Sequence, residues 1–350
     1  MVDTIWSRTN EARVRARYRN RTLLACFAAT LFTFSAQTAR AENCLSSSEM
    51  DAATRTSLLT TAQLDFELVA KGDSAALRQN GIPSVSGDFS GIEASVKANH
   101  SALAGSKGTP RPAFLLVAEG TAPVPHAEFL CGVFGKNGQT SDSAVFYLDN
   151  LPPGKYGIVI LDAPTRGGAR TVSLILLQQG ADWKLAGLQI GARQAAGHDS
   201  DWFATRAREF KDKGEMHNAW LYYLEARSLI SPLPFMSTAA TDKLYDESQK
   251  MQPADIPADG KPAALAAGTA TYKLTAMFPD AVGNDLGLIV KYQGNDIANS
   301  NQTYQINVAV MKALVAKFPE LRDAFAAVVV RAVDPGGHDF GTLLAMKDIK

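Results

Sequence analysis

The chain has 350 residues, 20% of them charged and 46% hydrophobic, with 35 basic and 35 acidic side chains. The balance is uneven: residues 1–41 hold seven arginines and two acids, so the remainder carries 28 basic and 33 acidic residues, a net charge of −5. A mildly acidic chain without a basic cluster argues against nucleic acid or anionic membrane surfaces as partners, and the length suits two domains or three small ones.

Six arginines (Arg8, Arg13, Arg15, Arg17, Arg19, Arg21) precede an uncharged, mostly apolar run from Thr22 to Ala36, and Ala39-Arg40-Ala41 follows. Basic, apolar and small residues in that order predict a signal peptide cleaved after Ala41. The alternative is an uncleaved anchor, although the run of 15 residues falls short of the roughly 20 that span a bilayer. Cys26 stands at the start of the run, the wrong end for a lipid-attachment box, and the absence of adjacent arginines favours export of an unfolded chain. Past Ala41 no apolar run is long enough to cross a membrane, so periplasmic or secreted localisation is expected. Cys44 and Cys131 then meet oxidising conditions and are a candidate disulfide; two unrelated thiols are the alternative.

Ser48–Leu103 reads as helical. Leu58, Ala62, Phe66 and Val69 form one apolar stripe, Gly72 supplies a left-handed stop, and Asp73 caps a short helix. Ile92, Val96 and Leu103 line a third helix, with His100 near that stripe. After Thr109-Pro110-Arg111-Pro112 come six strand-like runs: 113–119, 127–134, 144–149, 156–162, 171–179 and 182–190. Turn formers separate them, so neighbouring strands are expected to pair antiparallel. In TVSLILLQQ (171–179) apolar residues fall on both faces, and such a sheet needs two covers, one of which the preceding helices can supply.

Residues 195–252 read as helical again, and 253–270, rich in Pro, Ala and Gly, as a linker. The last segment, 271–350, reads strand (272–278), strand (286–292), helix (303–318), short helix (319–325), strand (328–334) and strand (340–346). Tyr304, Val308, Met311, Val315 and Phe318 are expected on one face of the long helix. The fold class is therefore α+β: helices on a curved antiparallel sheet over 42–194, a helical hairpin over 195–252, and a small α+β domain at the end.

Within the hairpin, Phe203, Ala207 and Phe210 share one helical face, Gly214 breaks the helix, Ala219, Tyr223 and Ala226 share the next face, and Leu229 and Pro232 follow. This order over 203–232 resembles a single tetratricopeptide repeat, with Arg206 where that family usually has leucine and the proline one residue late. A stacked array needs about three repeats, so the resemblance implies a hairpin docked on its own chain rather than a peptide-binding superhelix, with 238–251 as a covering third helix. Trp220 and Tyr223 are expected inside. Tyr222 is expected to face outward, and Tyr222 and Trp220 are the candidate partner contacts. The helices and meander that precede the hairpin and end in Asp182-Trp183-Lys184-Leu185 are similar to the nuclear transport factor 2-like (cystatin-like) cone, which implies a curved sheet around a pocket. AVFYLDNLPPGKYGIVIL (144–161) is also similar to the strand-turn-strand of carboxypeptidase-regulatory-like sandwiches.

Chemistry is sparsely signalled. The five histidines (His100, His126, His198, His217, His338) show no metal-ligand spacing, and no nucleophile elbow, phosphate loop or cofactor motif occurs. In His198-Asp199-Ser200-Asp201, Ser200 or Asp201 reads as a helix cap. A pocket in the first domain would draw on Glu128, Asp149, Asp162 or His126. Two functions follow: an exported, non-enzymatic binding or assembly scaffold in the cell envelope that meets another envelope protein, or a small-molecule-binding or hydrolytic pocket in the first domain.

Overall fold

The structure, a computed structural model, describes residues 42–350 apart from 134–138, 259 and 295–296; the expected leader lies outside the described residues. The class is α+β. In chain order the strands and helices are β1 (Asn43–Ser46), α1 (Ala52–Lys71), α2 (Ser74–Gln79), α3 (Pro83–Gly87), α4 (Ser90–Leu103), β2 (Thr109–Pro110), β3 (Phe114–Ala118), β4 (Val124–Cys131), β5 (Ala144–Leu151), β6 (Gly154–Ala163), β7 (Arg170–Gln179) and β8 (Asp182–Ala192). They continue with β9 (Gln194–Ala195), β10 (His198–Asp199), α5 (Ser200–Asp212), α6 (Met216–Ile230), β11 (Met236–Ser237), α7 (Ala239–Gln249), β12 (Ala263–Ala267), β13 (Ala270–Val282), β14 (Asp285–Gln293), α8 (Ser300–Lys317), α9 (Leu321–Ala324), β15 (Ala327–Val333) and β16 (Asp339–Ala345). The chain divides into two compact units. The first takes the residues up to Ala163, Val172–Ile190 and Pro232–Ala239, and the second takes Pro164–Thr171, Gly191–Ser231 and Ala240–Lys350.

The first unit is a three-layer stack of helices, sheet and sheet. Asp51 caps α1 through Thr54 N–H, Gly72 ends it in the left-handed region, and Asp73 caps α2 through Ala76 N–H. These are the stop and start that composition predicted. His100 lies against Gly72, where an added Cβ would stand 3.0 Å from the imidazole. Leu58, Ala62, Phe66 and Val69 of α1, with Val96 and Leu103 of α4, pack on Leu115, Val159, Leu161, Val172, Leu174, Leu176, Trp183 and Leu185. That is one face of a sheet ordered β1-β3-β6-β7-β8, with β2 on β6.

The opposite face of that sheet is also apolar. Phe114, Leu116, Tyr156, Ile158 and Ile175 point there, alternating with residues that face the helices. Their cover is a second sheet, ordered β11-β5-β4, that contributes Phe129, Phe146, Leu148 and Leu151. The six expected runs therefore do not form one meander. Strand β3 pairs with β6 rather than with β4, and β4 and β5 fold over the sheet as its second cover.

Two features lock these layers. Cys44 of β1 is bridged to Cys131 of β4, tying a strand of the first sheet to a strand of the second across 87 residues. Closing a loop of that length is worth about 4–5 kcal/mol in the chain-entropy account. Gly157 of β6 is the other: an added Cβ would lie 2.2 Å from a methyl of Leu58, which is fully buried. Asp65 is also buried on α1; it accepts from Asn80 Nδ2 at 2.9 Å, and burial pushes its carboxyl up to about 6.

In the second unit the sheet runs β12-β13-β14-β15-β16, antiparallel except for the β14–β15 pair, where α8 and α9 make the crossover. Residues 263–267, expected within a linker, are strand β12; Ala263, Leu265 and Ala267 face inward and their neighbours outward. Helix α8 buries Thr303, Asn307, Val310, Met311, Leu314 and Val315, whereas Tyr304 is exposed. The inward face is thus turned from the expected one. Asn307 makes the difference, since its Nδ2 donates to Thr342 Oγ1 at 2.9 Å and Phe340 O at 3.2 Å. Among the described residues no helix is long and apolar enough to cross a membrane.

Gly157→Ala is expected to destabilise the first unit by about 1–3 kcal/mol through overpacking against Leu58. The two residues touch, so the penalty should shrink when Leu58→Ala is added. Chemical denaturation of the single and double variants measures both effects.

Candidate functional site

The hairpin is the feature from which a partner contact was expected. Asp199, not Ser200 or Asp201, caps α5 by accepting from Trp202 N–H at 3.0 Å, and His198 stacks on Trp202 at 3.7 Å. Gly214, at φ 82°, makes the turn into α6. Phe203, Ala207 and Phe210 of α5 and Ala219, Tyr223 and Ala226 of α6 are all buried, as the small-and-aromatic order predicts. Arg206 stays at the surface, ion-paired to Glu209, with its guanidinium over the rings of Trp202 and Phe210.

Helix α6 is buried on nearly every side, which a helix reaches only inside a core. Tyr222, expected to face outward, is 5% exposed and Trp220 is 7% exposed. The Tyr222 ring meets Phe203, Phe210 and Phe325, and its hydroxyl donates to Ala324 O at 2.7 Å. Burial pushes the phenol up to about 12. Both residues are thus corrected from partner contacts to internal packing: an aromatic with a polar tip suits an interface in one chain as well as between two. Helix α7 covers the hairpin. Leu244 joins its core, and Glu247 accepts from Arg208 and from Tyr223 OH at 3.1 Å.

The hairpin's apolar core continues into Leu274, Met277, Leu288, Val290, Val328 and Val330 of the sheet, so α5 and α6 share one core with residues 271–350. A polar clamp accompanies it. His217 Nδ1 lies 2.7 Å from Glu320 Oε1 and its Nε2 lies 2.9 Å from Asp255 Oδ1, with the ring 4.3 Å from that of Phe318. Burial works to raise the Asp255 carboxyl, but the hydrogen bond and charge of His217, helped by Lys317, leave it lowered. Asn218 donates to Glu215 Oε2 and Glu320 O. The carboxylates sit on opposite ring nitrogens, so they hold the imidazole between them rather than converging on a metal.

In the first unit the structure pairs two of the residues proposed for acid–base chemistry, His126 and Asp149, with each other and holds Asp162 elsewhere. Arg111 and Asp162 form a two-pronged pair at 2.8 and 2.7 Å. His126 and Asp149, cross-strand neighbours on β4 and β5, meet at 2.6 Å on an exposed stretch. The backbone N–H of Glu128 donates to the Glu42 carboxylate. His338 pairs with Asp334 around the β15–β16 turn. None of the four first-unit candidates, Glu128, Asp149, Asp162 and His126, is among the buried residues of the helix–sheet core.

A second buried acid that sequence reading passed over, besides Asp65, is Glu225, on α6. It is 7% exposed, and burial, followed by the negative charge of Asp280 on β13, pushes it up to about 7. Its position between Leu221 and Leu229 at helical spacing was the available signal.

Comparison with protein-family models, with curated proteins and with solved structures found no match to this chain.

Tyr222→Phe removes the donor to Ala324 O and is expected to cost about 1–3 kcal/mol, the penalty of a carbonyl buried unpaired, read by thermal or chemical denaturation. The Glu225 carboxyl binds its proton more tightly when folded. Its contribution is fully present below the unfolded value near 4.5 and is lost as pH rises to about 7. The drop is on the order of 3 kcal/mol, and Glu225→Gln should flatten the stability–pH curve across that window.

Proposed function

We propose that this chain is an exported, non-enzymatic protein that serves as a binding or assembly scaffold in the cell envelope, meeting another envelope protein rather than nucleic acid. The observation that carries the reading is the Cys44–Cys131 bridge. Disulfides of this kind persist in oxidising compartments and are rare in the cytosol. The bridge is built into the layering of the first unit, and it agrees with the basic, apolar and small-residue order of the first 41 residues.

The scaffold half of the proposal draws on how polar groups are spent. His217 is held between Asp255 and Glu320, Asp162 by Arg111, and Tyr222 by Ala324 O. These arrangements join one element to another, which is the work of architecture. The tetratricopeptide-like hairpin likewise spends its inner faces on its own unit.

The full chain expressed with its leader and fractionated tests the reading. The expected product begins at Glu42, is recovered outside the cytosol, and has Cys44 and Cys131 unreactive to a maleimide until reduced. A full-length cytosolic product with both thiols labelled overturns export. Turnover that is lost in His126→Ala or Asp149→Asn, with folding intact, overturns the non-enzymatic half.

A further inference from the structure

The sheet of the second unit has one face packed on helices and another that carries an apolar row. Phe278 pairs with Ile289, Ile289 with Val329, and Val329 with Leu343, so four side chains stand abreast across β13, β14, β15 and β16. The row ends on Leu343, which is 52% exposed, and β16 is the last strand in the order. Among the described residues no strand pairs with its outer edge.

The hydrogen-bonding phase of that edge follows from the ladder. Asp334 N–H donates to His338 O at one end, and Met346 N–H donates to Ala326 O at the other. The register between them, from Val333↔Asp339 to Ala327↔Ala345, runs without a shift. Antiparallel ladders alternate, so the even-numbered residues of β16 bond to β15. Asp339, Gly341, Leu343 and Ala345 turn N–H and C=O toward the open side. Edges left exposed are ordinarily blunted by proline, lysine or a bulge. Strand β16, Asp-Phe-Gly-Thr-Leu-Leu-Ala, carries neither of those residues, and its register holds no bulge.

We propose that this edge pairs antiparallel with β16 of a second copy of the chain, about a two-fold axis through Thr342, joining two five-stranded sheets into one of ten strands. The self-complementarity of the strand selects a second copy as occupant. With Thr342 on the axis, Gly341 faces Leu343 of the second copy and Asp339 faces Ala345, so all four outward-facing residues on each strand find partners. Any other register leaves some of them unpaired. Glycine opposite leucine also makes a hole opposite a knob. Arg331, held by Asp339 at 2.7 Å, lies across Gly341, with its Cγ 3.7 Å from where a Cβ would stand. The incoming leucine thus rests on the arginine's methylene stem. The apolar row of one sheet then runs on toward that of the other.

The inference stands apart from the scaffold reading, since a dimer is compatible with any activity. Sedimentation equilibrium of the full purified protein over a concentration series tests it. The expected result is twice the chain mass for the wild type and a single chain mass for Leu343→Lys, whose side chain is exposed and whose fold circular dichroism checks. Hydrogen exchange gives a second readout: the amides of Gly341, Leu343 and Ala345 should slow as concentration rises. A wild type that is monomeric at every concentration overturns the proposal. So does a dimer that Leu343→Lys leaves intact, or one whose three amides exchange at the monomer's rate.

Discussion

Strands that are apolar on both faces oblige a chain to supply two covers, and that constraint organises the first unit. Burying the second face of β3, β6 and β7 recovers roughly 25 cal/mol for each Å² of apolar surface removed from water. Leaving it wet would forfeit that for Phe114, Leu116, Ile158 and Ile175 together. The helices close one side, and β4, β5 and β11 close the other. The disulfide joins a strand from each sheet, so the covalent link acts where the two layers must stay in contact. Gly157 belongs to the same constraint, because α1 approaches the sheet closely enough for Leu58 to occupy the space of a side chain.

The second unit solves the problem differently. Its sheet has one strongly apolar face, covered by α8 and, at β13, by the hairpin's second helix. Helix α6 is the shared wall between hairpin and sheet. That is why its polar groups are so constrained: Tyr222 must donate across to Ala324 O, Asn218 must reach Glu320 O, and Glu225 is held where ionisation is costly. The hairpin's inner faces are covered by the sheet, whose residues continue its apolar core. The other face of the sheet keeps Phe278, Ile289, Val329 and Leu343 in a row that ends on an open strand.

Much of the local structure was legible. The caps at Asp73 and Gly72, the α1 stripe, the six strand-like runs, the hairpin with its turn at Gly214, and the order of elements after 271 are short-range consequences of side-chain shape and backbone freedom. Three features were not. Residues 263–267 read as linker because alanine, proline and glycine dominate the composition. Yet alanines that alternate inward and outward make a strand when a neighbour supplies the hydrogen bonds. The face of α8 was misread because Asn307 is polar, and only the carbonyl of Phe340 and the hydroxyl of Thr342 make its burial favourable. Tyr222 reads as outward-facing because nothing near it in the chain announces a carbonyl 102 residues away.

The amino-acid order by itself determined the α+β class, the presence and order of most elements, the closeness of the two hairpin helices and the need for a second cover on a two-faced sheet. These depend on residues within a few turns or strands of one another. Tertiary structure alone decided which strands supply that cover, that hairpin and C-terminal sheet share one core, and which carboxylates lie where water cannot reach. Those outcomes turn on pairings between segments distant along the chain, whose energies come from packing and desolvation that no local pattern encodes.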